Sequence, residues 1–522
     1  MAFNALLTPE LWLLLAPLIM LVVGVVPSTL ANRLPQQMAL AVQMGTALGL
    51  VLWLVAIVVS LSGETAEGFL RWAVQADRVT FAILPLVAFL LSIVAGYSSR
   101  YLAGEAEQGR FFRWLALTAG GFMMAVVAGN LLLFVLAMLI TGSFLNKLLT
   151  YYQERIRAQM VAHKKLLFSR VADFSLVAAA VLLGFGLGTL SFDGIAAEVS
   201  SEAALPWQAH IAAWLIVAYT VLKSGQFPFH GWLLQVMEAP TPVSALLHAG
   251  IVYSGAIVVL RTHELLMAEG GALTLMLLVG LVTAAIASLA MLTQTAIKSS
   301  LAWSTAGQLG FMLMELGLGL FVLGLLHLIA HSLYKAHAFL SSGSIVDLLR
   351  GPAAPPKRSP PPAMWLVTVL GSAVITFGMA ALWGLTPANE PALIALGAIL
   401  SVAINQLLLA SRTSASSAGF LGKLVGLSVV VSAAYFALHK LFAAVFAADL
   451  KPIPETASAG QYLLLGLVAV IFLSLSFFQT VLIHRGETPW LKRLYVHLYN
   501  GLYTDQPVER LVYRVWPAKF RR

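Results

Sequence analysis

The chain alternates between long apolar runs and short polar interruptions over nearly all of its 522 residues. A helix needs about 20 apolar residues to cross a bilayer. On that measure the pattern predicts fifteen spans, near 9–27, 38–61, 79–98, 112–128, 130–150, 164–189, 208–226, 242–262, 272–293, 299–319, 320–346, 363–385, 391–411, 420–446 and 460–484. The turns at Gly129 and near Gly319 are the least sharply marked. The first apolar run, Leu11 to Val26, follows Glu10 and has no basic segment ahead of it, so it reads as a span and not as a cleavable signal.

Loop charges orient these spans. Arg155, Arg157, Lys164 and Lys165 lie between spans five and six, while the next loop holds Asp193, Glu198 and Glu202 without Lys or Arg. The excess of basic residues on cytoplasmic loops puts the first of these inside. Alternation then places Arg100, Arg110, Arg113, Arg350, Lys357, Arg358, Arg412 and Lys423 inside as well. The tail with Lys492, Arg493, Arg510, Arg514, Lys519, Arg521 and Arg522 falls on the same side, and the amino terminus falls outside. Arg71 and Arg78 land outside among Glu64, Glu67 and Asp77.

The organisation follows: amino-terminal helices in 1–128, a core rich in polar motifs in 129–350, a stiff Pro-rich linker in 351–362, further helices in 363–484 and a basic cytoplasmic tail in 485–522. The tail aromatics Tyr495, Tyr499, Tyr503, Tyr513 and Trp516 suit either a membrane surface or a docked partner.

Composition sharpens the class. Only 10% of residues are charged and 60% are hydrophobic, against about 25% charged in soluble domains, which defines a multi-pass membrane protein. The net charge of +9 therefore reports loop topology and not nucleic-acid binding. With no cysteine, this chain has no disulfide, iron–sulfur cluster or thiolate metal site, and any redox chemistry belongs to a partner.

Against that apolar background a few polar residues stand out. In span seven the apolar run from about Ile211 to Leu222 delivers Lys223 into the bilayer, and Pro228, Pro240 and Pro242 then interrupt the helices on either side of Glu238. A charge at the bilayer centre costs at least about 2.5–3.5 kcal/mol, so a lysine beside broken helices reads as an ion-path residue; the plainer reading is a lysine reaching to the interface. His327, His331 and Lys335 recur every four residues and share one helix face, as a proton relay requires. Helix–helix hydrogen bonding is the plainer account of that face, and a zinc site lacks a third ligand. His248 is either a structural donor or a relay. Lys298 sits at a helix start, Arg170 and Asp173 form a pair at a helix end, and Glu315 is a carboxylate in mid-span.

The run from Lys223 to Gly250, the run Thr293-Gln-Thr-Ala-Ile-Lys298-Ser-Ser-Leu-Ala-Trp-Ser-Thr-Ala-Gly-Gln-Leu-Gly, and the run from His327 to Ser344 together resemble the antiporter-like, proton-conducting membrane subunits of respiratory complex I and of multisubunit cation/proton antiporters. The details Gln226-Phe-Pro-Phe-His-Gly-Trp and Gln235-Val-Met-Glu-Ala-Pro are similar to one branch, DabB, the membrane subunit of two-component inorganic-carbon uptake complexes. The resemblance covers about residues 130–350.

It implies an all-α polytopic fold of about fifteen helices, with two inverted five-helix repeats that each contain a broken helix. It also implies a proton path through Lys223, His248, His327, His331 and Lys335, supported by Asp173, Glu238 and Lys298; Glu315 is a further supporting candidate that the resemblance does not account for. Two departures stand against it. No acid lies between Leu131 and Leu145, where the family has a span-five glutamate, so Lys223 is expected to lack a carboxylate partner. No lysine lies between Met364 and Leu409, and the only acid there is Glu390, in a predicted loop.

The function implied is a proton- or sodium-conducting subunit, not itself an enzyme, in a bacterial inner membrane. It would pair as a heterodimer with a large DabA-like, zinc carbonic-anhydrase-like partner, and would hold no cofactor of its own. A subunit of a complex I-like or hydrogenase complex, or of a multisubunit antiporter, is the alternative, and a membrane scaffold is a third reading. The topology is directly testable: tags on the two ends of the chain should show opposite protease accessibility in sealed vesicles, and equal accessibility would refute the odd number of spans.

Overall fold

The structure, a computed structural model, describes residues 8–201, 204–344, 360–409, 418–450, 458–483 and 488–517. Glu202, Arg350, Lys357, Arg358, Arg412, Lys519, Arg521 and Arg522, with most of the Pro-rich linker, lie outside the described residues.

A helical segment stands at each of the fifteen expected places. These are α1 (Pro9–Val25), α2 (Pro35–Ser60), α3 (Arg78–Tyr101), α4 (Gln108–Val127), α5 (Leu131–Leu149), α6 (Ile156–Gly186) and α7 (Trp207–Lys223). The eighth span is in two pieces, α8 (Thr241–Ala249) and α9 (Ser254–Arg261). Then follow α10 (Gly270–Met291), α11 (Ile297–Gly317), α12 (Phe321–Leu340), α13 (Pro362–Leu382), α14 (Leu393–Leu409), α15 (Ala418–Phe446) and α16 (Ala459–Phe477). Two shorter helices, α17 (Pro489–Tyr499) and α18 (Asp505–Val515), lie in the tail. Among the described residues there are no strands beyond two isolated bridges, Val74 with Ala128 and Asn130 with Ser191.

By length and composition, ten of these segments can cross a membrane, the two-piece span counted as one, and α1 and α14 are shorter apolar helices. The segments outside that set are α7, α11 and α12. They are the ones that carry Lys223, Glu315 and the His327–His331–Lys335 face. Their low hydropathy is a consequence of the polar residues that they bring inside.

The two faintly marked turns are set locally. Gly129 N–H donates to Ala73 O (2.8 Å), and a Cβ at Gly129 would run into the Trp72 and Val74 backbone. Gly319, at φ +73°, ends α11 in the left-handed conformation that glycine adopts without strain. The Asn130 side chain caps α5 by accepting from Leu133 N–H (2.8 Å), and Asp77 caps α3 by accepting from Thr80 N–H (2.8 Å).

One expectation needs correction. Span six starts at Ile156, so Lys164 and Lys165 are not loop residues; they are buried, 1% and 4% exposed, within α6. The sequence window missed the helix start because two adjacent lysines mimic a loop. The face of α6 turned to the lipid is apolar, with Val171, Phe174, Val181 and Phe185 exposed, while Lys165, Ser169 and Asp173 are buried. The helix thus carries buried polar residues among apolar ones on its inner side, and Arg170 is exposed beside the apolar outer face.

Contacts divide the chain into two units. The first comprises residues 1–283, 295–343 and 503–522, and holds α1 to α9, most of α10, α11, α12 and α18. In it, α10 packs backbone to backbone on α11: a Cβ at Gly280 would strike Gly310 O and Met314 N, and one at Gly317 would strike Leu277. Small residues at such crossings let membrane helices approach closely.

The second unit comprises residues 284–294 and 344–502, with α13 to α17. Its Ala380, Leu385, Leu393 and Phe436 form an apolar cluster, and Glu390 faces His439 at 3.6 Å between α13 and α14. Ser372, Ser401, Asn405, Ser428 and Ser432 are buried there with no charge among them. The resemblance implies a broken twelfth span, but α13 runs unbroken from Pro362 to Leu382, since its only proline occupies the first turn.

The crossing at Gly280 gives a test. Gly280→Val should remove the protein from the detergent-soluble membrane fraction, because backbone atoms cannot yield to the added methyls, whereas Gly270→Val, which meets open space, should express normally.

Candidate functional site

The site begins where α7 stops. Ser224 and Gly225 end the helix, with Gly225 at φ +57°, and the chain turns back so that Gln226 N–H donates to Val221 O (3.1 Å). Phe227 N–H, freed by the break, donates to Thr283 Oγ1 (3.0 Å) on α10. A short helix, Gly231–Leu234, and a single 3-10 turn, Val236–Glu238, lead to Pro240 and Pro242, which start α8. Proline fits a first helical turn, where no carbonyl awaits its missing N–H. A second interruption, not expected from the sequence, follows at Gly250 and the 3-10 turn Ile251–Tyr253, and splits α8 from α9.

Lys223 does have a carboxylate partner. Its Nζ lies 2.7 Å from Asp173 Oδ1 and donates to Ser169 Oγ (2.8 Å), all three groups being buried. The expectation of an unpartnered lysine is wrong because the acid stands on α6 and not on α5. The sequence does contain the signal, the Arg170-Val-Ala-Asp173 stretch, but spacing alone cannot show that Asp173 reaches across to another helix. Arg170 Nη1 also donates to the second Asp173 oxygen (3.3 Å) from the more exposed side.

Lys165, Ser169 and Asp173 repeat at intervals of four along α6 and form one polar face. Lys165, Ser169 and Lys223 line a small cavity with Met138, Gly142 and Trp232, and Lys165 Nζ donates to Gly142 O (3.1 Å). Ile251, Val252 and Ser254, at the interruption between α8 and α9, form the far wall of this cavity.

A second polar face lies beyond that wall. The Tyr253 hydroxyl stands 3.1 Å from His248 O and 2.6 Å from His331 Nδ1. His327 Nδ1 is 2.7 Å from Glu315 Oε2, and the His327 and His331 rings meet edge to face at 5.7 Å. Lys335, fully buried, donates to Ser304 Oγ (2.8 Å), and His248 stacks on Phe339 at 4.4 Å. The buried His331 Nε2 and His248 Nδ1 have no hydrogen-bond partner among the described residues.

The structure therefore gathers Lys223 with Asp173, and His248, His327, His331 and Lys335 with Glu315, on the two sides of one interrupted helix. Two supporting candidates stand apart. Glu238 is half-exposed and faces Arg155 at 3.9 Å; Lys298 donates to Thr241 Oγ1 (2.9 Å) and ties α11 to α8. Sequence reasoning missed Lys165, Ser169, Tyr253 and Ser304. Lys165 was read as a loop charge, and neutral hydroxyls are too common in spans to stand out.

This fold and polar line define an antiporter-like membrane subunit. Residues 128–351 match the family model described as NADH:quinone oxidoreductase/Mrp antiporter, TM. The fold matches a solved Mrp complex from Dietzia sp. DQ12-45-1b at TM-score 0.55 and 23% identity, covering 98% of this chain and 57% of that one. Among curated proteins, the probable inorganic carbon transporter subunit DabB2 of Halothiobacillus neapolitanus is 50% identical over 459 residues, covering 87% of this chain and 82% of that protein. The probable inorganic carbon transporter subunit DabB of Hydrogenovibrio crunogenus is 34% identical, covering 90% of this chain and 87% of its own length. The chain belongs to the DabB family of antiporter-like membrane subunits.

Losing one member of a buried ion pair leaves the other uncompensated, at about 3–5 kcal/mol. Asp173→Ala should thus lower the thermal stability of the purified protein markedly, and the double variant Asp173→Ala/Lys223→Ala should recover part of the loss. Additive losses in the double variant would show that the two side chains do not interact.

Proposed function

We propose that this chain is the cation-conducting half of an inorganic-carbon uptake complex, carrying protons through the interior from the Lys223–Asp173 pair to the His331–Lys335 face. The observation that supports it best is the interrupted eighth span, with the Lys223 cavity on one side and Tyr253 hydrogen-bonded to His331 on the other. A break in a helix inside a bilayer is tolerated where protein or water satisfies the freed backbone, and this one lies where two polar faces must communicate. The imidazole nitrogens without protein partners suit bridging waters.

The partner is proposed to be a large soluble, DabA-like protein with a zinc carbonic-anhydrase-like centre on the cytoplasmic side, since both full-length relatives are called inorganic carbon transporter subunits. This chain would supply no hydration chemistry. Coupling follows from linkage: ion movement must change the state of the partner, or hydration would run reversibly. One proton crossing 100 mV is worth about 2.3 kcal/mol, sufficient to bias an equilibrium more than tenfold. The alternative, a subunit of a redox-driven pump or of a multisubunit antiporter, has the lysine–carboxylate pair in its favour. The absence of any charge from α13 and α14 weighs against it.

Co-expression with the neighbouring partner gene should restore growth in air to a host lacking carbonic anhydrase, and this chain alone should not. Lys223→Ala should abolish rescue while the complex still forms in a pull-down. Lys223→Arg should fail as well, because a guanidinium keeps its proton. Normal rescue by Lys223→Arg would make Lys223 a fixed charge and end the relay reading.

A further inference from the structure

The carboxyl-terminal helix α18 is bound to the core beneath the Lys223 cavity. Asp505, its first residue, places Oδ2 at 2.5 Å from Lys164 Nζ and accepts from Gln235 Nε2 at 2.7 Å, while Lys164 also donates to Gln235 Oε1 (2.8 Å). The Lys164 side chain is 1% exposed and that of Asp505 22% exposed, so the cluster meets solvent through Asp505 and the partly exposed Gln235 and not through the lysine. Its seat is built for it: a side chain at Gly231 would collide with the Asp505 carboxylate. Farther along, Val512 is buried, and Trp516 stacks on His163 at 4.2 Å with the planes 8° apart. The backbone of Trp516 also holds His163 Nδ1 at 3.1 Å.

The residues that form this clasp are the immediate neighbours of cavity residues. Lys164 precedes Lys165, and Gly231 precedes Trp232; Lys165 and Trp232 both line the cavity. The clasp therefore stands one residue away from the cavity lining on both α6 and the short helix Gly231–Leu234. A buried lysine held by one acid and one amide is stable while that acid stays in place, and loses its compensation when the acid leaves. The helix is therefore held at two places, by Asp505 on Lys164 and by Trp516 on His163, and only the first carries a charge that leaves a buried partner uncompensated when it departs.

We propose that α18 is a gate over the Lys223 cavity and that Asp505 is its latch, a positioning residue that holds the cavity shut to water when docked on Lys164. The inference rests on the reading of that cavity as part of the ion path. The chain has no native cysteine, so one introduced thiol reports access without background. The test is the labelling rate of Ser169→Cys, on the cavity wall, by a water-soluble maleimide in vesicles that expose the carboxyl-terminal side.

Adding Asp505→Asn should speed labelling by about tenfold or more, the factor by which losing one charge-assisted hydrogen bond shifts a local opening. Trp516→Ala should speed it less, and Glu509→Gln, an equal charge change on the exposed face of α18, should leave it unchanged. Equal rates in the parent and in both Asp505→Asn and Trp516→Ala would overturn the gate. Proton leak in the same vesicles, followed with a pH-sensitive dye, separates the two ideas. Faster labelling with faster leak supports both the gate and proton conduction; faster labelling with unchanged leak supports the gate and refutes the conduction reading.

Discussion

A lysine ammonium cannot sit in a hydrocarbon interior on its own, and the core of this protein is arranged to meet that constraint. Lys223 is compensated by Asp173 and Ser169 from α6, and those residues are buried only because the opposite side of α6 offers Val171, Phe174 and Phe185 to lipid. The lysine stands in the last turn of its helix, where the free carbonyls at the carboxyl end favour a positive charge. The break after Lys223 and the proline-started α8 follow directly on this buried charge along the chain. Charge placement comes first and helix geometry follows from it.

Much of this was legible in the sequence. The positions of most spans follow from hydropathy, since the penalty for exposing a peptide group to hydrocarbon is large and local; α7, α11 and α12, which carry the polar residues, are the ones it marks least. His327, His331 and Lys335 announce themselves by spacing, and they do lie along one side of α12. What was not legible is pairing across helices. Nothing in the order of residues tells that Asp173 meets Lys223 from 50 positions away, or that Asp505 meets Lys164 from 341. The adjacent lysines at 164 and 165 misled for a related reason: hydropathy adds up charges one by one and cannot see that they are neutralised in pairs.

The two halves of the chain treat polarity differently. In the first unit, the buried polar groups include several titratable side chains, among them the Lys223–Asp173 and His327–Glu315 pairs. In the second, α13, α14 and α15 bury serines that mostly return their hydroxyls to their own helices, as Ser401 does to Gly397 O (2.6 Å) and Ser428 to Leu424 O (2.8 Å). The serines offer polarity without charge, and the Glu390–His439 pair is the titratable contact described in this unit. The family resemblance, read residue by residue, already separated these halves, and it did so by what is missing and not by what is present.

The interval of four that organises α6 and α12 has a consequence of its own. Each residue of a helix rises about 1.5 Å, so successive rungs stand about 6 Å apart, which the 5.7 Å between the His327 and His331 rings reproduces. A hydrogen bond spans about 3 Å between heavy atoms, so no rung can hand a proton directly to the next. Two hydrogen bonds in series through a bridging water cover such a distance. If these rungs carry protons as proposed, conduction would depend on whether a handful of solvent molecules occupy those gaps, and drying a single rung would disconnect the line without moving any helix.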